Sequence, residues 1–357
     1  MEKRGAIKIS TDFTGGNALV LKCEDDTFFI EPELRDTEGD WFYWAFCADG
    51  TEGSKLNIDF GGKTRVGYYG PAVSRDLINW EWLGPGDGYS SFRYEFKSGE
   101  SRVYFAHHML YHPERFRSLA RQAGIGTKTL CVTPKGRSVP FCEIGRGEKI
   151  IFLTARHHSC ESSGSYALEG FLDEYAKSPI AGTRVICVPF MDFDGAVDGD
   201  QGKNRRPHDH GRDYAINEAP LYDTVRTAME IIGIGGVAFG IDFHSPWHFG
   251  GQNDTVFAVR KKIDKARDHD RFGLALDKRS AESGFRYRFG DDMEPDVDWN
   301  DSASPCVSNY IMDRNPGALA FGLEIPYFRA SGGMFTPEGA IGLGRSICGA
   351  LADYLAD

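Results

Sequence analysis

Residues 154–165 read TARHHSCESSGS and follow directly on the apolar residues Ile150, Ile151, Phe152 and Leu153. An apolar run of that kind predicts a buried strand, and most chains leave such a strand through Gly, Asn or Asp. This chain leaves it with two imidazoles, a thiol and a carboxylate, and His158 and Glu161 stand three positions apart. Helical spacing of apolar residues then begins in SGSYALEGFLDEYAKS, 163–178. A strand, a turn dense in ionisable groups and a helix make an arrangement in which functional side chains gather at the strand's end.

Outward from that turn, strand and helix patterns alternate. Strands are predicted at TKTLCVT (127–133), VPFCEI (139–144), TRVICVPF (183–190), GVAFGIDFH (236–244), DTVFAVR (254–260) and GALAFGLEIPYF (317–328). Helices are predicted at APLYDTVRTAMEIIG (219–233), at DRFGLALDKRSAESG (270–284) and from Thr336 to the end, where Thr336 and Pro337 suit an N-cap and a first helical turn. This alternation implies an α/β fold with a mixed, largely parallel sheet flanked by helices. The texture changes near residue 125. Upstream lie short aromatic and β-branched runs cut by Gly and Asp, among them DWFYWAFCA (40–48), YSSFRYEF (89–96) and SRVYFAHHM (101–109), followed by a helical HPERFRSLARQA (112–123). Their even spacing predicts an antiparallel β-sandwich. Two domains are therefore expected, a sandwich over 1–124 and an α/β domain over 125–357.

Composition narrows the classes of function. With 357 residues, 41% hydrophobic and 26% charged, the chain can bury large cores. A formal charge of −11 argues against a general nucleic-acid or anionic-membrane surface, because either needs a basic face. MEKRGAIKIS has no apolar leader-like core and no segment reaches the length of a membrane span, so a cytoplasmic location is expected. Eight cysteines without a CxxC pair predict reduced, mostly buried thiols. The glycines of IGIGG (232–236) and GLGRS (342–346) lack a phosphate-loop context and are read as packing or turn glycines.

Four ionisable residues stand at the ends of three predicted strands: His158 and Glu161 after the first, His244 at the end of GVAFGIDFH, and Glu324 near the end of GALAFGLE. Two imidazoles and a carboxylate are a donor set used by catalytic zinc, and a further carboxylate would serve as base. Each has a plainer explanation. A lone histidine is most often a satisfied surface residue, Glu161 could charge the first turn of the next helix, and His244 could simply end a strand. Glu324 resists such a reading, since an acid inside an apolar strand is costly to bury unless something uses it.

Taken in order, TARHHSCESS, VPFMDFDGAVDG (188–199), IDFHSP (241–246) and FGLEIPYF (321–328) resemble the motifs of the zinc metallocarboxypeptidases, the funnelin fold. FTGGNALVL (13–21), DWFYWAFC, YYGPAVSRDLINWEWLG (68–84) and SRVYFAHHMLYH resemble the N-terminal β-sandwich of that family's cytosolic branch. The resemblance implies one zinc held by His158, Glu161 and His244, with Glu324 as general base, and hydrolysis of the C-terminal bond of peptides or protein tails. It also implies an arginine that polarises the scissile carbonyl, either Arg205 or Arg206, with Arg205 preferred because it follows Asn204. The substrate's terminal carboxylate would be held by Arg212 in DHGRD, where Gly211 replaces the family's asparagine. Tyr310 is the candidate for a mobile phenol over the substrate, and Arg314 for selecting an acidic terminal residue. His208, His210 and His248 are read as polar cleft residues rather than ligands, and Lys203 as a solvated turn residue. Because Gly211 removes an amide contact, a zinc amidohydrolase acting on cell-wall-type peptides or N-acyl amino acids is the alternative.

Overall fold

The computed structural model describes residues 7–262, 266–331 and 333–356. The opening residues of the leader reading and the last residue of the terminal helix lie outside these. Nine strands come first: β1 (Lys8–Ser10), β2 (Leu19–Glu24), β3 (Thr27–Glu31), β4 (Ala45–Asp49), β5 (Lys55–Asp59), β6 (Ala72–Ser74), β7 (Trp80–Trp82), β8 (Ser91–Glu95) and β9 (Arg102–Ala106). They form two sheets, ordered β1-β4-β9-β6-β7 and β2-β3-β5-β8. Their pairings are antiparallel except β3 with β5, which run parallel. Alternate residues of these strands, Phe46, Ala48, Leu56, Ile58, Phe92, Tyr94, Val103 and Phe105, close a core together with Trp44. Strand periodicity makes this possible, since residues two apart share a face.

Helix α1 (Pro113–Gln122) leads into seven further strands: β10 (Thr127–Val132), β11 (Ser138–Gly145), β12 (Lys149–Ala155), β13 (Thr183–Val188), β14 (Val237–His244), β15 (Phe257–Val259) and β16 (Leu319–Glu324). They make one mixed sheet in the order β10-β11-β13-β12-β14-β16-β15. Its centre, β13-β12-β14-β16, is parallel, and antiparallel pairings close both sides. Helices α2 (Ser163–Lys177), α3 (Phe193–Asp198), α4 (Asp223–Gly233), α5 (Ala266–Ser280), α6 (Val307–Arg314) and α7 (Pro337–Ala356) complete it. Helices cover both faces of β14: the Phe239 ring meets Phe272 of α5 and Tyr354 of α7, while a Cβ added at Gly240 would lie 2.7 Å from Ile311 of α6. The Gly240 side is the one that continues, two residues at a time, through Asp242 to His244.

Several boundaries depart from the sequence expectation for local reasons. Helix α4 starts at Asp223 rather than 219, and in the turn before it the N–H groups of Leu221 and Tyr222 donate to the Asp213 carboxylate, each at 2.9 Å. The short helices α3 and α6 fall in segments that the apolar pattern left irregular. Thr336 caps α7 as expected, its hydroxyl accepting from Gly339 N at 3.0 Å. All eight cysteines are free, five of them buried and Cys23 exposed. Of the helices among the described residues, none is long and apolar enough to cross a membrane.

Candidate metal centre

The turn after β12 is shaped by its own arginine. Arg156 adopts a left-handed backbone (φ 63°), and its buried guanidinium reaches forward to the carbonyl of Ser159, 2.6 Å from Nε, and back to that of Tyr111 at 3.3 Å. The next turn closes through Glu161 N donating to His158 O at 3.1 Å. His158 and Glu161 are thus presented together before α2 begins. Across the sheet, β14 and β16 run parallel with His244 opposite Glu324, so both side chains leave the same face at the same strand end.

Three of these four residues, His158, His244 and Glu324, line one cavity of about 70 Å³ together with Arg212, Asp242 and Lys261, and Glu161 meets the site through the two histidines. Nδ1 of His158 lies 2.9 Å from Glu161 Oε1, and Nδ1 of His244 lies 2.8 Å from Glu161 Oε2. The far nitrogens have carboxylates behind them: Asp242 Oδ2 stands 2.6 Å from His244 Nε2, and Asp209 Oδ1 stands 3.7 Å from His158 Nε2. Two imidazoles and one carboxylate facing each other, with Asp242 fixing the His244 ring and Asp209 near that of His158, are the donor arrangement of a metal centre. A second trio, His157, Asp242 and His244, also lies close enough together. His157 is fully buried and has both nitrogens engaged, by Asp242 Oδ1 at 2.8 Å and by the Tyr214 hydroxyl at 2.7 Å. It braces Asp242, and the open set is His158, Glu161 and His244.

The electrostatics agree with that geometry. Burial acts to raise the Glu161 carboxyl, but the positive charges of His158, Lys203 and His244 outweigh it and hold the group well below the usual range. Asp242 is likewise held low by His157 and His244 against the effect of burial. Glu324 goes the other way. Burial lifts its carboxyl to about 7, only partly opposed by His244, with Glu161 adding to the rise. Its Oε2 is buried without a hydrogen-bond partner, an arrangement that is costly unless a ligand completes it. The residues present therefore fit a bound divalent metal.

The structure separates the remaining sequence candidates. Arg212 is exposed and lines the metal cavity. Gly211 beside it has no room for a side chain without displacement, since a Cβ would stand 3.3 Å from both His158 Nε2 and Asp209 Oδ1. Arg205 is not brought to the cavity. Its guanidinium is bound by Asp36 at 3.0 Å, Asp192 at 2.9 Å and Asp200 at 3.1 Å, and it lines a different cavity. Arg206 is exposed and paired with Glu38. Tyr310 is buried on α6 beside Tyr214 and lines a third cavity, with exposed Arg314 over its ring. These latter two cavities are larger than the metal cavity but hold none of the metal donors. His208 pairs with Asp213, His210 stacks on Tyr222, and His248 stacks on Phe42, all outside the metal cavity's lining.

Lys203 departs furthest from its sequence reading. It is buried, and its ammonium is ion-paired with Glu161 Oε1. Lys261 and Trp299 of the cavity lining were also missed, and no local pattern marks either of them. For Lys203 the lone signal was its place between DGAVDG and the arginines.

No family model matches the chain. It is 25% identical over 282 residues, 73% of each chain, to an uncharacterized protein of Zymomonas mobilis. In three dimensions it is similar to a metallo-carboxypeptidase from Burkholderia cenocepacia, with a TM-score of 0.80, 18% identity and 99% of each chain covered. It is also similar to a metallo-carboxypeptidase from Pseudomonas aeruginosa, with a TM-score of 0.74 and 20% identity over 98% of this chain and 99% of that one. Over nearly its whole length this chain therefore has the fold of these two bacterial metallo-carboxypeptidases.

Proposed function

We propose that the protein is a zinc-dependent metallocarboxypeptidase that hydrolyses the C-terminal bond of peptides or protein tails in the cytoplasm. The observation that carries this reading is the convergence of His158, Glu161 and His244 beside a buried Glu324 carboxylate with an unpartnered oxygen. His158 and His244 through Nδ1, and Glu161 through its carboxylate, would hold the ion. Zinc suits two imidazoles and a carboxylate with one position left open, and it supplies Lewis acidity toward water and the peptide carbonyl. Glu324 takes the proton of the attacking water and delivers it to the leaving amine. Arg212 at the cavity rim forks onto the substrate's terminal carboxylate, a bidentate match that Lys cannot reproduce. Arg205, held by Asp36, Asp192 and Asp200, serves as a structural cation within its own loop.

The same reading divides the chain into a sandwich over 1–124 and a catalytic domain over 125–357. In support, the last sandwich strand ends at Ala106 and the first strand of the mixed sheet begins at Thr127.

The test is metal content by mass spectrometry together with hydrolysis of a mixed C-terminal peptide library. Wild type and Glu324→Gln should each retain about one zinc per chain and His158→Ala should lose it. Only wild type should trim peptides. Zinc-loaded wild type that trims nothing would count against the proposal. Gly211 favours a second reading, an amidohydrolase of the same fold acting on cell-wall-type peptides or N-acyl amino acids. Paired substrates with free and amidated C-termini separate the two, because only the carboxypeptidase should demand the free carboxylate.

A further inference from the structure

Lys203 is placed with unusual firmness for a lysine. Its backbone carbonyl accepts from the Thr37 hydroxyl. The residues on either side are tied as well, Gly202 N to Asp36 at 2.9 Å and Asn204 N to Asp209 at 3.0 Å. The ammonium lies over Trp41, 5.3 Å from its ring centroid. The ammonium ends on Glu161, and the anionic groups acting on it include Glu324. Among the described residues it is the one Lys or Arg ion-paired to a metal donor.

That position is a poor choice if the only task is to bind a metal. Burying an ammonium is costly unless it is well paired. Here the pairing also draws electron density from the carboxylate meant to donate to a cation, and it sets one positive charge against another. Something must offset the penalty. The arginine that sequence reasoning assigned to the scissile carbonyl is bound by three aspartates elsewhere. Arg212 and Lys261 line the cavity but have no ion pair to the metal donors.

We infer that the Lys203 ammonium, held on Glu161, lowers the site's affinity for a metal and donates a hydrogen bond to the scissile carbonyl oxygen during turnover, so that this chain trades metal affinity for rate. The inference rests on the hydrolase reading for its second half only. The charge that gathers on the carbonyl oxygen as water adds is then met by an ammonium already fixed in a water-poor site, where such a donor counts most in the transition state. Lys203 would be a catalytic residue, and its contribution to metal binding would be unfavourable.

Lys203→Met keeps the stem and removes the charge; Lys203→Gln is a polar check on folding, and Lys203→Arg keeps the charge. Zinc affinity is measured by titration against a chromogenic chelator, which needs no activity, and kcat and KM are measured on a peptide that wild type hydrolyses. Lys203→Met and Lys203→Gln should bind zinc about tenfold or more tighter, in keeping with removal of a like charge a few ångströms away. Their kcat should fall about 10²- to 10³-fold with little change in KM, the usual cost of an oxyanion donor. Lys203→Arg should recover part of the rate and keep the weaker zinc affinity. Weaker or unchanged zinc binding in both uncharged variants overturns the inference and leaves Lys203 a structural clamp. Tighter zinc binding with unchanged kcat overturns the catalytic half. If zinc-loaded wild type hydrolyses no peptide, the hydrolase reading fails while the affinity comparison still decides the Glu161 half.

Discussion

Glu324 ends its strand with one carboxylate oxygen buried and unpartnered, and burial raises its pKa to about 7. A base must be ionised to accept a proton, so a raised pKa means that activity falls as pH drops through that value. The expected kcat/KM profile therefore has an acidic limb that rises with pH toward neutrality. A bound cation nearby moves that limb to lower pH without reversing its direction. Glu324→Gln should retain zinc and lose about 10²- to 10⁴-fold in kcat, as pre-steady-state and steady-state assays would show. A variant with more than a tenth of wild-type turnover would remove Glu324 from the mechanism. Behind the donors, Asp242 fixes His244 and His157 at once. Asp242→Asn should weaken zinc binding about 10- to 100-fold, read by chelator competition, while the fold persists.

At the scale of elements, the sheet sets the site and the helices set how closely it is supported. Helices α2 and α7 approach at two glycines: a Cβ at Gly170 would lie 2.0 Å from Ile341 O, and one at Gly344 would lie 1.9 Å from Ala167 O. Backbone, not a flexible side chain, fills the space at both positions. Gly344→Ala should destabilise the protein by about 1–3 kcal/mol, the cost of overpacking, with activity per folded molecule unchanged; urea unfolding at constant m-value would check it. The GLGRS glycines thus differ in role, since Gly342 faces open space. Of the other pair read as turn glycines, Gly235 (φ 93°) and Gly236 (φ 89°) take the left-handed conformations that turn the chain into β14.

The whole molecule depends on the seam between sandwich and mixed sheet. Phe328, four residues beyond Glu324, is buried against Trp82, Tyr68 and Phe249, and the ring leaves Gly67 no room for a Cβ, which would lie 2.1 Å from it. Polar contacts cross the same seam, Tyr68 to Asp254 at 2.8 Å and Trp82 Nε1 to Phe335 O at 2.8 Å. Phe328→Ala should cost about 3–5 kcal/mol, seen as a lower denaturation midpoint. Because the β16 extension carries both Glu324 and Phe328, loosening the seam should also slow turnover. Trp41 from the sandwich side packs against the Lys203 ammonium, so the front half of the chain reaches the ion pair that Lys203 makes with Glu161.

By itself the sequence determined the strands and the longer helices of the α/β region, though not α3 or α6, and the four residues at its strand ends. His158, Glu161, His244 and Glu324 were legible because an apolar strand broken by ionisable residues is a local signal, and a parallel sheet brings such ends together. Only the tertiary structure decided which cations serve that site. Arg205 looked free in GKNRRPHDH, yet Asp36, 169 residues away, helps to hold it elsewhere. Lys203 looked solvated, yet a loop pinned by Asp36 and Thr37 buries it against Glu161. Tyr310 looked mobile, yet α6 packs it inside. A long charged side chain takes its role from whichever opposite charge folding brings within reach, and that partner can lie anywhere in the chain. An apolar strand and its polar end take theirs from neighbours one and two residues away.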